Sequence, residues 1–291
     1  MYRVIAAYLA IFLLSFATAG AAQLNLGFPK EPEHIVNIPA KVPGRGAETG
    51  AKLYAPEGHG PFPAVVLSHP SGPLQQHMFQ WAKRFLEAGY AVLVVDHLSP
   101  RNKKSNSDHS VSVTEYAQDD IAAMLHLRSM RFVDGKRIIQ MGFSYGAMAG
   151  LREASKSFRA KYLDGERFAA IISVYPWCNQ KVGRTLQDHQ WNFYDDTDVP
   201  LLLVLGAEDD EADPRSCIDK AKENSAKGLP VEFVVLPGTT HAFDHTWMHN
   251  PVVTQQAGHS VTYRYNPESV EATWKLTLDF LARHVGRPVI R

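Results

Sequence analysis

The residues best placed for covalent chemistry sit in Gly142-Phe143-Ser144-Tyr145-Gly146, a G-x-S-x-G pentapeptide. A serine hydroxyl is a poor nucleophile at neutral pH. It needs a base within hydrogen-bond reach, and the base needs an acid that fixes its tautomer. The pentapeptide alone is a weak signal, but its setting is stronger. The apolar run Arg137-Ile138-Ile139-Gln140-Met141 leads into it, and the small-residue run Ala147-Met148-Ala149-Gly150-Leu151-Arg152 follows. Strand, tight turn and helix together hold a serine in a strained elbow with its hydroxyl exposed. The flanking glycines permit the turn and a close helix. The competing reading is a Gly/Ser-rich turn that only reverses the chain.

The sequence has 13 histidines, so position must select among them. His241 lies in Leu236-Pro237-Gly238-Thr239-Thr240-His241-Ala242-Phe243, directly after the last apolar strand pattern, and is the candidate base. The candidate acid is Asp209, in Leu205-Gly206-Ala207-Glu208-Asp209-Asp210, with Asp210 as the alternative. Glu208, Glu211 and Asp213 crowd the same stretch and read as a solvated loop leading to a helix. Asp213 before Pro214 has the form of an N-cap with proline at the first helical position. The order Ser144, Asp209, His241 is that of α/β-hydrolases and of neither other common serine triad. Stabilising the tetrahedral intermediate requires an oxyanion hole. The Tyr145 N–H is its expected first donor. The second comes from the loop Leu67-Ser68-His69-Pro70-Ser71-Gly72; Pro70 has no N–H, which leaves Ser71.

These groups must be carried by a scaffold. His34 to Ile38 and Ala51 to Tyr54 read as short edge strands joined through Pro43-Gly44-Arg45-Gly46. Phe62 to Ser68, Tyr90 to Val95, the run into Ser144, Phe168 to Val174, Val199 to Leu205 and Val231 to Leu236 are continuous apolar strands. Helical patterns alternate with them: Gln75 to Ala88 (Phe79, Ala82, Phe85 and Leu86 on one face), Thr114 to Ser129, Ser216 to Ala226 and Pro267 to His284. Such alternation predicts a mostly parallel, twisted sheet with helices on both faces; with the order Ser144, Asp209, His241 it reads as an α/β-hydrolase fold of about eight strands. Reactive groups then gather at the carboxyl ends of the strands.

The chain has 291 residues, 30 Lys and Arg against 30 Asp and Glu, and 45% hydrophobic residues. That balance argues against a nucleic-acid or polybasic membrane partner. Residues 1–22 read as a signal peptide: Arg3, an apolar segment from Val4 to Phe16, then Ala17-Thr18-Ala19 and Gly20-Ala21-Ala22 as cleavage sites. The expected mature protein is one domain, 23–291, exported to the periplasm or medium and not held at a membrane. The alternative is an uncleaved N-terminal anchor. Two cysteines are present, Cys178 and Cys217, either as a disulfide of an exported protein or as two buried thiols.

From about Phe62 to the C-terminal helix the chain resembles the dienelactone hydrolase family of α/β hydrolases. The resemblance rests on Ser68-His69-Pro70, Gly142-Phe143-Ser144-Tyr145-Gly146, Gly206-Ala207-Glu208-Asp209 and Pro237-Gly238-Thr239-Thr240-His241-Ala242-Phe243. It implies an acid in the third segment and a histidine in the fourth. Family members that open dienelactones have a cysteine nucleophile where this chain has Ser144. That departure shifts the expectation from lactones to a serine esterase. Exported relatives are similar in carrying a cysteine after Tyr-Pro-x and another past the acid, which implies a Cys178–Cys217 bridge.

The expected activity is therefore hydrolysis of small carboxylic esters, without cofactor or metal. Two rivals remain: a serine peptidase resembling the prolyl oligopeptidase catalytic domain, and a silent binding protein on the same fold. His241, His245 and His249 have zinc-site spacing on a helix, but Pro237-Gly238 speaks against a helix there. Trp177, Tyr175 and Thr246-Trp247-Met248 read as pocket, rim or core. Asp96 reads as structural or near the substrate, and Arg101-Asn102-Lys103-Lys104 as a solvated loop. The acyl and alcohol groups and the oligomeric state are not legible.

Overall fold

The computed structural model describes residues 34–38, 49–181, 189–256 and 259–288. The expected leader and the turn at Pro43-Gly44-Arg45-Gly46 lie outside the described residues. β1 (His34–Ile38) and β2 (Thr49–Tyr54) pair antiparallel. Then come β3 (Phe62–Ser68), α1 (Gln76–Glu87), β4 (Ala91–Asp96), α2 (Val113–Arg128) and β5 (Val133–Phe143). α3 (Tyr145–Glu153), α4 (Lys156–Tyr162) and β6 (Ile171–Val174) follow. A small hairpin, β7 (Asn179–Lys181) with β8 (His189–Trp191), precedes β9 (Leu201–Gly206), α5 (Pro214–Ala226) and β10 (Val231–Leu236). A second hairpin, β11 (Val252–Gln256) with β12 (His259–Tyr263), leads to α6 (Pro267–His284).

Eight of these strands form one sheet in the order β1-β2-β4-β3-β5-β6-β9-β10. β2 runs antiparallel to β4, and each pairing from β4 through β10 is parallel. This is the α/β-hydrolase fold expected from the sequence. The apolar strands are continuous because both faces are covered. In β9, Leu201, Leu203 and Leu205 pack with Tyr116, Met148 and Ala221 from α2, α3 and α5. Leu202 and Val204 pack with Trp81, Phe85, Phe280 and Leu281 from α1 and α6. Burying such side chains contributes roughly 1.5–3 kcal/mol each, before conformational entropy is counted.

Local chemistry sets the element ends. β9 starts at Leu201 rather than Val199 because Pro200 has no N–H to give the ladder. α2 begins in a capping box: Ser112 Oγ accepts the Glu115 N–H at 3.2 Å and Glu115 Oε2 accepts the Ser112 N–H at 2.8 Å. Asp213 caps α5 and Pro214 opens it, as expected. On α1 the buried face is His77, Met78, Trp81, Ala82 and Phe85. Phe79 and Leu86 are only partly buried, so the stripe is rotated from the expected one.

Because β6 and β9 are parallel neighbours, the segments after them run side by side. Cys178 and Cys217 meet there in a disulfide with Cα atoms 5.1 Å apart. It closes a loop of 39 residues, for which chain entropy gives about 4 kcal/mol of stabilisation. Reducing the protein, or replacing both cysteines by serine, should lower its unfolding free energy by about that amount in a urea titration. An unchanged midpoint would show that the bridge does not constrain the unfolded chain.

Candidate active site

Ser144 stands between β5 and α3 with φ 49° and ψ −110°. That region is unfavourable for a residue with a Cβ, at a cost of about 1–3 kcal/mol. Two backbone bonds hold it there: Ser144 N–H to Val174 O at 3.0 Å, and Met148 N–H to Ser144 O at 2.9 Å. The elbow also needs glycine. A Cβ on Gly142 would lie 2.3 Å from Gly146 O, and one on Gly146 would lie 2.3 Å from Ser68 O. α3 begins at Tyr145, so the Tyr145 amide is among the first-turn N–H groups that the helix leaves unsatisfied.

The loops after β9 and β10 are laced together. Ala207 N–H donates to Leu236 O and Glu208 N–H to Thr239 O, both at 2.9 Å. Gly206 permits this approach, because a Cβ there would meet Thr239 O at 2.4 Å. The lacing brings Asp209 to His241. His241 Nδ1 lies 2.8 Å from Asp209 Oδ2, and His241 Nε2 lies 3.0 Å from Ser144 Oγ. Asp209 Oδ1 accepts the N–H groups of Glu211 at 3.0 Å and Ala212 at 2.7 Å, which aims Oδ2 at the imidazole. The chain from Asp209 through His241 to Ser144 is thus continuous, and it matches the expected order and the post-strand placement. Asp210 is exposed and does not point into this chain.

The His241 and Asp209 side chains are 3% and 2% exposed. Burial lowers the histidine pKa, but the nearby carboxylates of Asp209, Glu211 and Asp244 outweigh it. The net effect is a pKa above the ordinary imidazole value. Asp244 is itself fixed in the core, accepting from Trp81 Nε1 at 2.8 Å and Tyr175 Oη at 2.7 Å. The Tyr175 ring packs on His241 with centroids 4.7 Å apart, so this tyrosine supports the base. Ala242, at φ 52°, breaks any helix after His241. His245 instead stacks on His77 with ring centroids 3.9 Å apart.

The segment after β3 is held by a buried relay that sequence reading missed. Ser68 Oγ lies 2.9 Å from His97 Nε2, and His97 Nδ1 lies 2.8 Å from Asp119 Oδ2. Arg101 forks onto Asp119 at 2.8 and 3.1 Å. Arg101 is therefore an anchor, not part of a solvated loop. Its polarity suggested exposure; the carboxylate that neutralises it lies 18 residues on in α2. Asp96 is structural: its Oδ1 accepts the N–H groups of Leu98 and Ser99. Asn106 reaches back, its N–H donating to Ser71 O at 2.7 Å. The loop through Ser107 and His109 thereby forms one wall of a cavity over Ser144.

That cavity holds about 260 Å³ and is lined by Ser71, Ser107, His109, Ser144, Tyr145, Met148, Trp177 and Glu211. Ser71 and Tyr145 thus stand at the nucleophile, where oxyanion donors are needed. Trp177 lines the site, as one of its expected roles had it, whereas Trp247 is 57% exposed. Glu211, one of the crowded loop acids, also belongs to the site. Its Oε2 is 3.8 Å from His241 Nε2, and it accepts the Tyr263 hydroxyl at 2.5 Å. Tyr263 belongs to the β11–β12 hairpin, which carried no functional signal in the sequence.

The chain is 27% identical over 128 residues to the quorum-quenching protein AidA of Acinetobacter baumannii, covering 44% of this chain and 40% of AidA. It is 26% identical over 147 residues to the esterase FrsA of Klebsiella pneumoniae, covering 50% of this chain and 32% of FrsA. It therefore spans well under half the length of these relatives. A thermophilic esterase of the planctomycete Thermogutta terrifontis superposes with a TM-score of 0.65 at 14% identity, over 89% of this chain and 96% of that one. That likeness is one of fold. A model of the dienelactone hydrolase family matches residues 49–285, from β2 to the end of α6 and through every segment that builds the site, and to that family the chain belongs.

Proposed function

We propose that the protein is a serine hydrolase that cleaves small carboxylic esters through an acyl-enzyme on Ser144. The observation that carries this reading is the unbroken contact from Asp209 through His241 to Ser144, at 2.8 and 3.0 Å, opening on a cavity. His241 Nε2 takes the hydroxyl proton as Ser144 Oγ bonds to the acyl carbon. Asp209 keeps the Nδ1 proton in place and stabilises the imidazolium. The Tyr145 and Ser71 amides receive the developing oxyanion, each worth about 3–4 kcal/mol in the transition state. The intermediate collapses, the C–O bond to the alcohol breaks, and Nε2 returns its proton to the leaving oxygen. Water then attacks the acyl-enzyme with His241 again as base, releasing acid and free Ser144. Every bond and proton balances with water as the sole co-reactant.

The name of the matched FrsA, an esterase, supports the bond type. The Thermogutta esterase was captured with propionate, which supports a short acyl group. The cavity volume supports the same scale. We further propose that the protein works after export, with its leader removed. The Cys178–Cys217 bridge supports this, because such bridges persist in oxidising compartments.

The pH profile of ester turnover tests the role of His241. The imidazole is the base only when neutral, and its pKa in the folded protein is raised. Activity is therefore lost as pH falls through that raised value. kcat/KM for a short-chain aryl ester should rise along a single limb whose midpoint lies above about 6.5, the unperturbed imidazole value. A midpoint at or below that value would contradict the carboxylate-flanked base.

A further inference from the structure

The cavity over Ser144 carries a sign. Of the described residues that line it, Glu211 is the one carboxylate, and none is lysine or arginine. The Glu211 side chain is 23% exposed, so its charge is partly desolvated. It is also held in place. Its N–H donates to Asp209 Oδ1 at 3.0 Å, and its Oε2 accepts the Tyr263 hydroxyl at 2.5 Å. Oε2 lies 3.8 Å from His241 Nε2. In ester cleavage Nε2 delivers the proton to the leaving oxygen, so the alcohol portion must pass beside Nε2 and hence beside Glu211. Trp177 and Tyr145 line the same cavity, and aromatic faces attract quaternary ammonium groups.

We propose that Glu211 makes the alcohol side of the site charge-selective, favouring esters of cationic alcohols over neutral isosteres and rejecting esters whose alcohol carries a carboxylate. This rests on the esterase reading and adds the substrate class to it. A unit charge about 6 Å from a carboxylate, at an effective dielectric of about 40 for a half-open cleft, changes binding about tenfold in either direction. That is about 1.4 kcal/mol per step.

Three acetate esters test it: acetylcholine, its uncharged carbon isostere 3,3-dimethylbutyl acetate, and 3-acetoxypropanoate. Acetate release in a pH-stat gives kcat/KM for each. The expected order is cationic over neutral over anionic, in steps of about tenfold. In Glu211→Gln, which keeps an acceptor for Tyr263, the spread should shrink to within about threefold. An anionic ester turned over as well as the neutral one would overturn the proposal, as would an unchanged order in Glu211→Gln. If the variant fails to fold, the order in the parent protein still decides. NMR titration of Ser144→Ala with choline, 3,3-dimethylbutanol and 3-hydroxypropanoate reads the preference without chemistry. Choline should bind about tenfold tighter than the neutral alcohol, and equal affinities would overturn the proposal. No turnover of any of the three esters, with the choline preference intact, would contradict the esterase reading and leave the charge preference standing.

Discussion

Ser144→Ala should lower turnover of a short-chain aryl ester by about 10⁴- to 10⁶-fold, the order of loss when one member of a working triad is removed. The fold should survive. Among the described residues its hydroxyl bonds one side chain, His241 Nε2 at 3.0 Å, so stability should change by no more than about 1 kcal/mol. Alanine carries a Cβ as serine does, so the Cβ strain of the elbow at φ 49° is unchanged. Urea titration and circular dichroism beside the kinetics separate the two effects. A variant that is folded and retains more than about one hundredth of the parent rate would remove Ser144 from the chemistry, since the oxyanion hole and binding alone leave far less.

Asp209→Asn should lower kcat by about 10³- to 10⁴-fold, through a tautomer and not through packing. Asp209 Oδ1 is committed to the Glu211 and Ala212 amides. An asparagine in the same pose keeps its carbonyl there and turns its NH2 toward His241 Nδ1. The imidazole must then carry its proton on Nε2, where it cannot accept one from Ser144. Asp210→Asn serves as the neighbouring control, because Asp210 is exposed and its backbone carbonyl faces His259 Nε2 at 3.3 Å. It should retain activity near that of the parent. Loss of activity in the Asp210 variant alone would move the acid one residue along the chain.

Strand and helix patterns in the sequence were enough for the sheet and most of its helices. Residues buried on both faces, as in Leu201–Gly206, leave an unbroken apolar run, and helices with one buried face leave a period. The meeting of residues 144, 209 and 241 was legible for a topological reason. Each follows a strand, and β5, β6, β9 and β10 are consecutive in the sheet. What was not legible depends on polar groups paired across the chain. Arg101 and Asp119 look like two surface charges until the fold joins them. Glu211 looks like one acid among five until Tyr263 and His241 are seen beside it. Polar residues announce exposure in a sequence, and only tertiary contact shows that they are satisfied inside. The β11–β12 hairpin is not legible for a related reason. Val252-Val253-Thr254 has strand chemistry, but the segment packs at the rim and leaves Val253 60% exposed, so no continuous apolar run marks it.

The central claim is that Ser144 is an activated nucleophile and not a turn residue. It is tested most directly by incubating the protein with a fluorinated alkyl phosphonate and mapping the adduct by peptide mass spectrometry. One phosphonyl group per chain, on Ser144, is the expected result, with labelling lost in His241→Ala. An intact protein with no adduct, or an adduct on another serine, would contradict the hydrolase reading of this site.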